Sequence, residues 1–319
     1  MTVAWVLGST GLLGSALCRQ LREQATPLFF PAARLHWDQE AELTSQLAAA
    51  VQAFSARTGA EERWEVYWAA GVGTMSSSPS DLSLETRTLA LLLQLIESDP
   101  VLTVMPGALA FSSSAGAIYA GSRAEIISET TSPAPTTAYA QEKLKQEGLV
   151  RLFVLACENT TALLARISTI YGPGQSEGKQ QGLFAHIARC IVRNRPIQIY
   201  VPFDTIRDYI TADDAAAAMV TALRAISDRP HVLTKIVASE RPTTIAEIVS
   251  IFKRITRRAP RVVTSASRLS SLYSRRVQFR SVELPGCVPR SKTSLLIGIA
   301  QVMAAERAAF ARGPAAGGG

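Results

Sequence analysis

Tyr139 and Lys143 stand four residues apart in Tyr139-Ala140-Gln141-Glu142-Lys143, a spacing that puts two side chains on one face of a helix. A free phenol holds its proton up to a pH of about 10 and is a poor base at neutrality. A neighbouring ammonium, joined by the positive ring of an oxidised nicotinamide, stabilises the phenolate and brings it toward working range. The pair is therefore a candidate acid/base couple, although the same spacing also occurs in ordinary helices. Upstream, Phe111-Ser112-Ser113-Ser114 ends an apolar run that reads as a strand. Parallel sheets bind ligands at the carboxyl ends of their strands, so Ser114 is a candidate to hold a substrate oxygen while the tyrosine exchanges its proton.

A second chemical feature opens the chain. Gly8-Ser9-Thr10-Gly11-Leu12-Leu13-Gly14 lies between an apolar run and a stretch with helical periodicity. Missing Cβ atoms at such a turn let the backbone approach a pyrophosphate held at the helix N-terminus. The spacing is G-x-x-G-x-x-G, and its place between a first strand and a first helix turns it into a dinucleotide signal. At the end of the second strand a carboxylate suits the ribose hydroxyls of NAD, and an arginine suits the 2′-phosphate of NADP. That stretch reads Pro31-Ala32-Ala33-Arg34, which points to NADP over NAD. The other reading makes Arg34 a surface residue and gives the ribose to Asp38.

The elements that must position these groups alternate. Val3–Leu7, Leu28–Phe30, Trp64–Ala69, Leu109–Ser113 and Thr161–Ile167 read as strands, and the stretches after Leu12, near Glu40–Phe54, over Leu82–Ile96 and over Tyr139–Cys157 read as helices. Repeated βα units predict an α/β fold, a Rossmann-like doubly wound parallel sheet. The pattern loosens past Gly172-Pro173-Gly174. We therefore divide the chain into a dinucleotide-binding domain over 1–172, a smaller substrate-binding lobe over 173–312 interleaved with it, and a flexible tail over 313–319. Within the lobe, Thr244 and Glu247 form a capping box ahead of an apolar helical run.

Hydrophobic residues make up 47% of the 319 and charged residues 18%, which excludes a disordered chain and a disulfide scaffold. Four scattered cysteines without a C-x-x-C pair, and three histidines without H-x-x-x-H spacing, give no metal signature. The first 18 residues are uncharged, but they lack a basic leader and glycines interrupt them, so a cytoplasmic protein without membrane association is expected. The net charge of +7 is uneven: Lys253 to Lys292 holds eleven Lys or Arg against one acid, Glu283. Sparse aromatics there offer no stacking platform for nucleic acid, and a solvated basic face is the plainer reading.

Together these motifs resemble the extended short-chain dehydrogenase/reductase family, in its NAD-dependent epimerase/dehydratase branch acting on sugar nucleotides. The resemblance rests on the N-terminal glycine turn, Ala69-Ala70-Gly71 after the fourth strand, and Ser112-Ser113-Ser114 with Tyr119, Tyr139 and Lys143. It continues with Arg166 through Tyr171-Gly172-Pro173-Gly174 and Arg207-Asp208-Tyr209-Ile210 before Asp213-Asp214. It implies Ser114, Tyr139 and Lys143 as the catalytic set. It also implies a cofactor site of Gly8, Thr10, Gly11, Leu12, Leu13, Gly14, Arg34, Asp38, Ala69, Ala70 and Gly71 with Tyr139 and Lys143, and substrate contacts from Ser114, Thr169 and Arg207. Arginine offers a planar fork to diphosphate oxygens; the plainer alternative for Arg207 is an ion pair with Asp208 or Asp213.

The implied activity is NAD(P)-dependent hydride exchange on a nucleotide-sugar, by 4-epimerisation or 4-keto reduction, in a chain that could form a homodimer. Family dehydratases carry Asp-Glu after the catalytic hydroxyl where this chain has Ala115-Gly116, so dehydration is disfavoured. Thr169 replaces an asparagine found in many relatives. Two rival readings are a non-catalytic dinucleotide- or RNA-binding relative that uses the basic stretch, and a reductase of a non-sugar carbonyl.

Overall fold

The computed structural model describes residues 2–312 apart from 38, 60–61, 72, 74–76, 176–181, 227–230, 258–259, 265–275 and 286–292. Asp38, the 313–319 tail and much of the basic stretch lie outside the described residues.

Strand and helix alternate through the first half: β1 (Thr2–Leu7), α1 (Leu12–Glu23), β2 (Leu28–Phe29), α2 (Glu40–Thr58), β3 (Arg63–Trp68), α3 (Pro79–Glu97), β4 (Gly107–Ser114), the short α4 (Ala115–Ile118), α5 (Ala138–Ala156) and β5 (Thr160–Ile167). The second half runs β6 (Thr169–Tyr171), α6 (Leu183–Val192), β7 (Ile197–Ile199), β8 (Ile206–Thr211), α7 (Ala212–Ala225), β9 (Val232–Val237), β10 (Pro242–Thr244), α8 (Ile245–Thr256), β11 (Val262–Thr264) and α9 (Leu295–Arg312). The central sheet has the order β2-β1-β3-β4-β5-β9, and its pairings are parallel. β1 lies between β2 and β3, so the order reverses at the carboxyl end of β1, where doubly wound sheets open a crevice.

Helices α2, α3 and α5 cover one face through Leu47, Phe54, Leu89, Leu92 and Phe153. Helices α1 and α7 cover the other through Leu17, Leu21, Met219 and Leu223. Strands covered on both faces are predominantly apolar, and β5 is buried at all eight positions, Arg166 among them. Ala69-Ala70-Gly71 follow the third strand in chain order, not the fourth, because the chain runs from α2 straight into β3, which pairs with β1. The lobe core is separate, built on Phe184, Ile187, Ile248, Phe252 and Val302. A three-stranded sheet, β10-β8-β6, leads into it. The capping box of α8 forms as expected, with Thr244 and Glu247 each bonding the other's backbone.

The last strand of the central sheet comes from the second half of the chain. β9 pairs with β5 from Ala162↔Val232 to Ile167↔Val237. Its Lys235, 1% exposed, donates to Ser281 Oγ and to the Glu283 carbonyl, while Glu129 accepts from the Ile236 and Val282 amides. A segment near the chain's end is thereby tied along the sheet edge.

Helix α5 is fixed to the sheet by buried charge. Glu147, 2% exposed, accepts two bonds from Arg166 of β5, 5% exposed. Glu147 also accepts from Ser113 Oγ of β4 at 2.7 Å, and Arg166 donates to the Tyr119 hydroxyl. Breaking one side of such a pair leaves an uncompensated buried charge. Arg166→Met is therefore expected to lower stability by about 3–5 kcal/mol, read as a fall in the denaturant midpoint, whereas Arg166→Met with Glu147→Leu recovers most of the loss. A single variant as stable as the wild type would show that the pair does not hold the helix.

Candidate active site

The glycine turn joins β1 to α1 at the crevice. Gly8 has φ +79°, a left-handed conformation that costs glycine little, and a Cβ there would stand 2.6 Å from the Ala69 carbonyl oxygen. A Cβ on Gly14 would overlap the Gly8 carbonyl. Both glycines are needed for the turn to fold against the end of β3. Helices α3, α5, α7 and α8 start on Ser78, Thr137, Thr211 and Thr244, whose hydroxyls accept a first-turn amide. Helix α1 starts on Gly11 without a side-chain cap and without an acid in its first turn. Open amides and the positive end of the helix dipole are the donor set that a pyrophosphate requires, so the residues present fit a dinucleotide. Leu12 and Leu13 open α1 half-buried, and Thr10 is exposed in the turn.

Arg34 is exposed, five residues past the end of the short β2. Asp38, the alternative ribose partner, lies outside the described residues.

Four of the expected residues come together. Ser114, Tyr139, Thr169 and Arg207 line one cleft of about 710 Å³, with His186, Gln198 and Tyr200 from the lobe. Each arrives from the end of an element: Ser114 closes β4, Thr169 opens β6, Arg207 lies near the start of β8, and Tyr139 sits in the first turn of α5. The three serines of β4 divide their roles. Ser112 Oγ donates to the Trp68 carbonyl and Ser113 Oγ to Glu147, so Ser114 is the one that faces the cleft, accepting a long 3.4 Å bond from the Ala117 amide.

Arg207 Nη1 donates to the Ile206 carbonyl. Its two suspected acidic partners are engaged elsewhere. Asp213 pairs with Arg19. Asp208, 1% exposed, accepts from Ser168, from the Ser239 amide and hydroxyl, and from the Arg241 amide. Burial raises the Asp208 carboxyl above the ordinary range, and the bonds from Ser168 and Ser239 oppose that rise.

Lys143 does not line the cleft; it lies behind Tyr139. Its Nζ stands 5.8 Å from the Tyr139 ring centroid and 5.2 Å from that of Phe111. It donates to Glu85 Oε1 at 2.7 Å and to Gln146 Oε1 at 3.0 Å. Burial pulls the ammonium down, and the Tyr139 and Glu85 oxygens outweigh it, so Lys143 sits above the ordinary lysine range. Glu85 on α3 was not anticipated from motifs. Its signal was periodicity: Leu82, Glu85, Leu89, Leu92 and Ile96 follow 3-4-3-4 spacing, which puts an acid on an apolar stripe. Gln198, Tyr200 and His186 carried no comparable signal, because their approach to Ser114 depends on how the lobe folds back.

Residues 4–234 match the NAD dependent epimerase/dehydratase family. A dTDP-L-rhamnose 4-epimerase of Burkholderia thailandensis is 34% identical over 96 residues, a match that spans 30% of this chain and 26% of that protein's length. Two solved structures share the fold along nearly the whole chain. UDP-glucose 4-epimerase of Thermus thermophilus, in complex with NAD, aligns with a TM-score of 0.77 at 21% identity over 97% of this chain and 100% of its own. RMD of Pseudomonas aeruginosa, complexed with NADPH, aligns with a TM-score of 0.78 at 19% identity and the same coverage. Among the described residues, no helix is long and apolar enough to cross a membrane. With the glycine crevice, the Tyr139–Lys143 helix and the family match in register along most of the sequence, this chain belongs to the NAD dependent epimerase/dehydratase family.

Proposed function

We propose that this protein is an NAD(P)-dependent enzyme that inverts or reduces C4 of a nucleotide-linked sugar, with 4-epimerisation the principal reading. The observation that carries it is the convergence of Ser114, Tyr139, Thr169 and Arg207 on one cleft, with the uncapped α1 and its glycine turn at the neighbouring crevice. The resemblance of residues 4–234 to a family named for epimerases supports it. The sheet half would hold the dinucleotide and the lobe the substrate.

When bound, the nicotinamide supplies the hydride acceptor and donor. The chain supplies position and proton. Ser114 would hold the sugar hydroxyl, and Tyr139 would take its proton as the carbon is oxidised and return it on reduction. The Lys143 ammonium lies behind the ring, 5.8 Å from its centroid. The Arg207 fork would hold diphosphate oxygens at the far end of the cleft, and Thr169, with a shorter side chain than an amide, would make a lesser contact. Epimerisation further requires room for the oxidised sugar to present its other face, which the cleft of about 710 Å³ allows. A cytoplasmic, reducing setting suits the free thiols Cys18, Cys157 and Cys190.

One observation favours a second reading, 4-keto reduction with NADPH. Arg34 is exposed past the end of β2, where a guanidinium would accept a 2′-phosphate. Arg34→Ala is expected to weaken NADPH binding about tenfold, the scale of one charge-assisted bond, and to leave NADH binding unchanged. Equal effects on both would remove the arginine from the cofactor site.

The deciding experiment is to identify the nucleotide carried through purification and to screen nucleotide-sugars with and without added NADPH. Turnover with retained dinucleotide and no added reductant supports epimerisation, and stoichiometric NADPH consumption supports reduction. Tyr139→Phe is expected to lower kcat by roughly 10²–10⁴ with dinucleotide affinity kept. Unchanged turnover would remove Tyr139 as the acid/base.

A further inference from the structure

Lys143 and Glu85 form an ion pair with only 7% and 8% of their side chains exposed. Pairs removed from water contribute little net stability, so stability alone is weak grounds for this one beside Tyr139. Glu85 is also tied to the crevice: its Oε2 accepts the Gly73 amide at 3.3 Å. A Cβ on Gly73 would lie 3.1 Å from that oxygen and 3.5 Å from Tyr139 Cδ2. A single glycine backbone thus separates the carboxylate from the phenol ring. The remaining charges near the pair balance one another. Glu147 is matched by Arg166, and Glu142 by Lys145 at the surface.

Without Glu85 the site beside Tyr139 would hold one uncompensated ammonium at low dielectric. That charge would repel the oxidised nicotinamide ring, which is cationic, and would leave the reduced ring, which is neutral, little affected. We propose that Glu85 is a positioning residue that balances the Lys143 ammonium, so that the site accepts a nicotinamide in its oxidised as well as its reduced form. This rests on the dinucleotide reading given above. An enzyme that oxidises and then re-reduces its substrate on one retained dinucleotide needs both forms held comparably well, and a local charge of zero provides that.

The test is calorimetric titration of the full chain, stripped of nucleotide, with NAD⁺, NADH, NADP⁺ and NADPH. One unit charge left uncompensated beside a cationic ring, at an effective dielectric of about 20–40, corresponds to roughly a five- to thirtyfold change in affinity. Glu85→Gln is therefore expected to raise the ratio of the oxidised to the reduced dissociation constant by that factor. Glu85→Asp keeps the wild-type ratio, and Glu85→Gln with Lys143→Met returns it to within about twofold, because the pair is again neutral. If Glu85→Gln fails to fold, Glu85→Ala makes the same charge change and leaves room for water. A ratio unmoved in a folded Glu85→Gln or Glu85→Ala protein overturns the proposal, since a purely structural role would weaken both forms alike. Failure of the wild type to bind any of the four overturns the dinucleotide reading itself, and this inference with it.

Discussion

The geometry of the cleft depends on one charged stripe of a helix being buried. Tyr139, Lys143 and Glu147 recur every four residues along α5 and so share a face. That face is pressed against β4, β5 and α3, where an unpaired ammonium or carboxylate would be very costly. Two partners on different elements meet the cost: Glu85 of α3 takes the lysine and Arg166 of β5 takes the glutamate. A small rotation or slide of α5 would unpair both at once. The helix therefore has one position, and Tyr139, at the open end of the stripe, is held at the mouth of the cleft.

The opposite side of the site is built by leaving things out. Gly8 and Gly14 let β1, the turn and α1 close upon the end of β3, because no Cβ stands in the way. Gly11 leaves the helix N-terminus without a cap. A serine or threonine cap, of the kind that α3, α4, α5, α7 and α8 use, would satisfy the amides internally and remove their reason to bind an anion. Buried charge fixes the half that carries Tyr139, and open backbone fixes the half that would hold phosphate.

What could be read from the sequence was what local pattern encodes. Helix and strand periodicity gave the alternating elements to within a few residues, and the strand-turn-helix context distinguished the glycine run from an ordinary turn. The capping box at Thr244 and Glu247 is local as well. The choice among Ser112, Ser113 and Ser114 was read from position, while the reason for it, that the first two bond Trp68 and Glu147, is a tertiary fact. The Lys143–Glu85 and Arg166–Glu147 pairs join residues 58 and 19 apart, and no periodicity reports which charges meet across layers. Glu85 stood out only as an acid on an apolar stripe of α3. The lobe side of the cleft was hardest to read, because Gln198 lies in, and Tyr200 just after, a strand of three residues, too short to leave a pattern.

The late arrival of β9 has a consequence for biosynthesis. Strand β5 is buried along its whole length in the folded protein and stays open along one side until residues near 237 have left the ribosome and paired with it. A nascent chain of about 170 residues holds the glycine turn, Ser114 and Tyr139, yet it displays an unpartnered strand edge of the kind that templates self-association. Productive maturation thus favours a cell that shields this intermediate, with chaperones or with steady translation through the second half of the message.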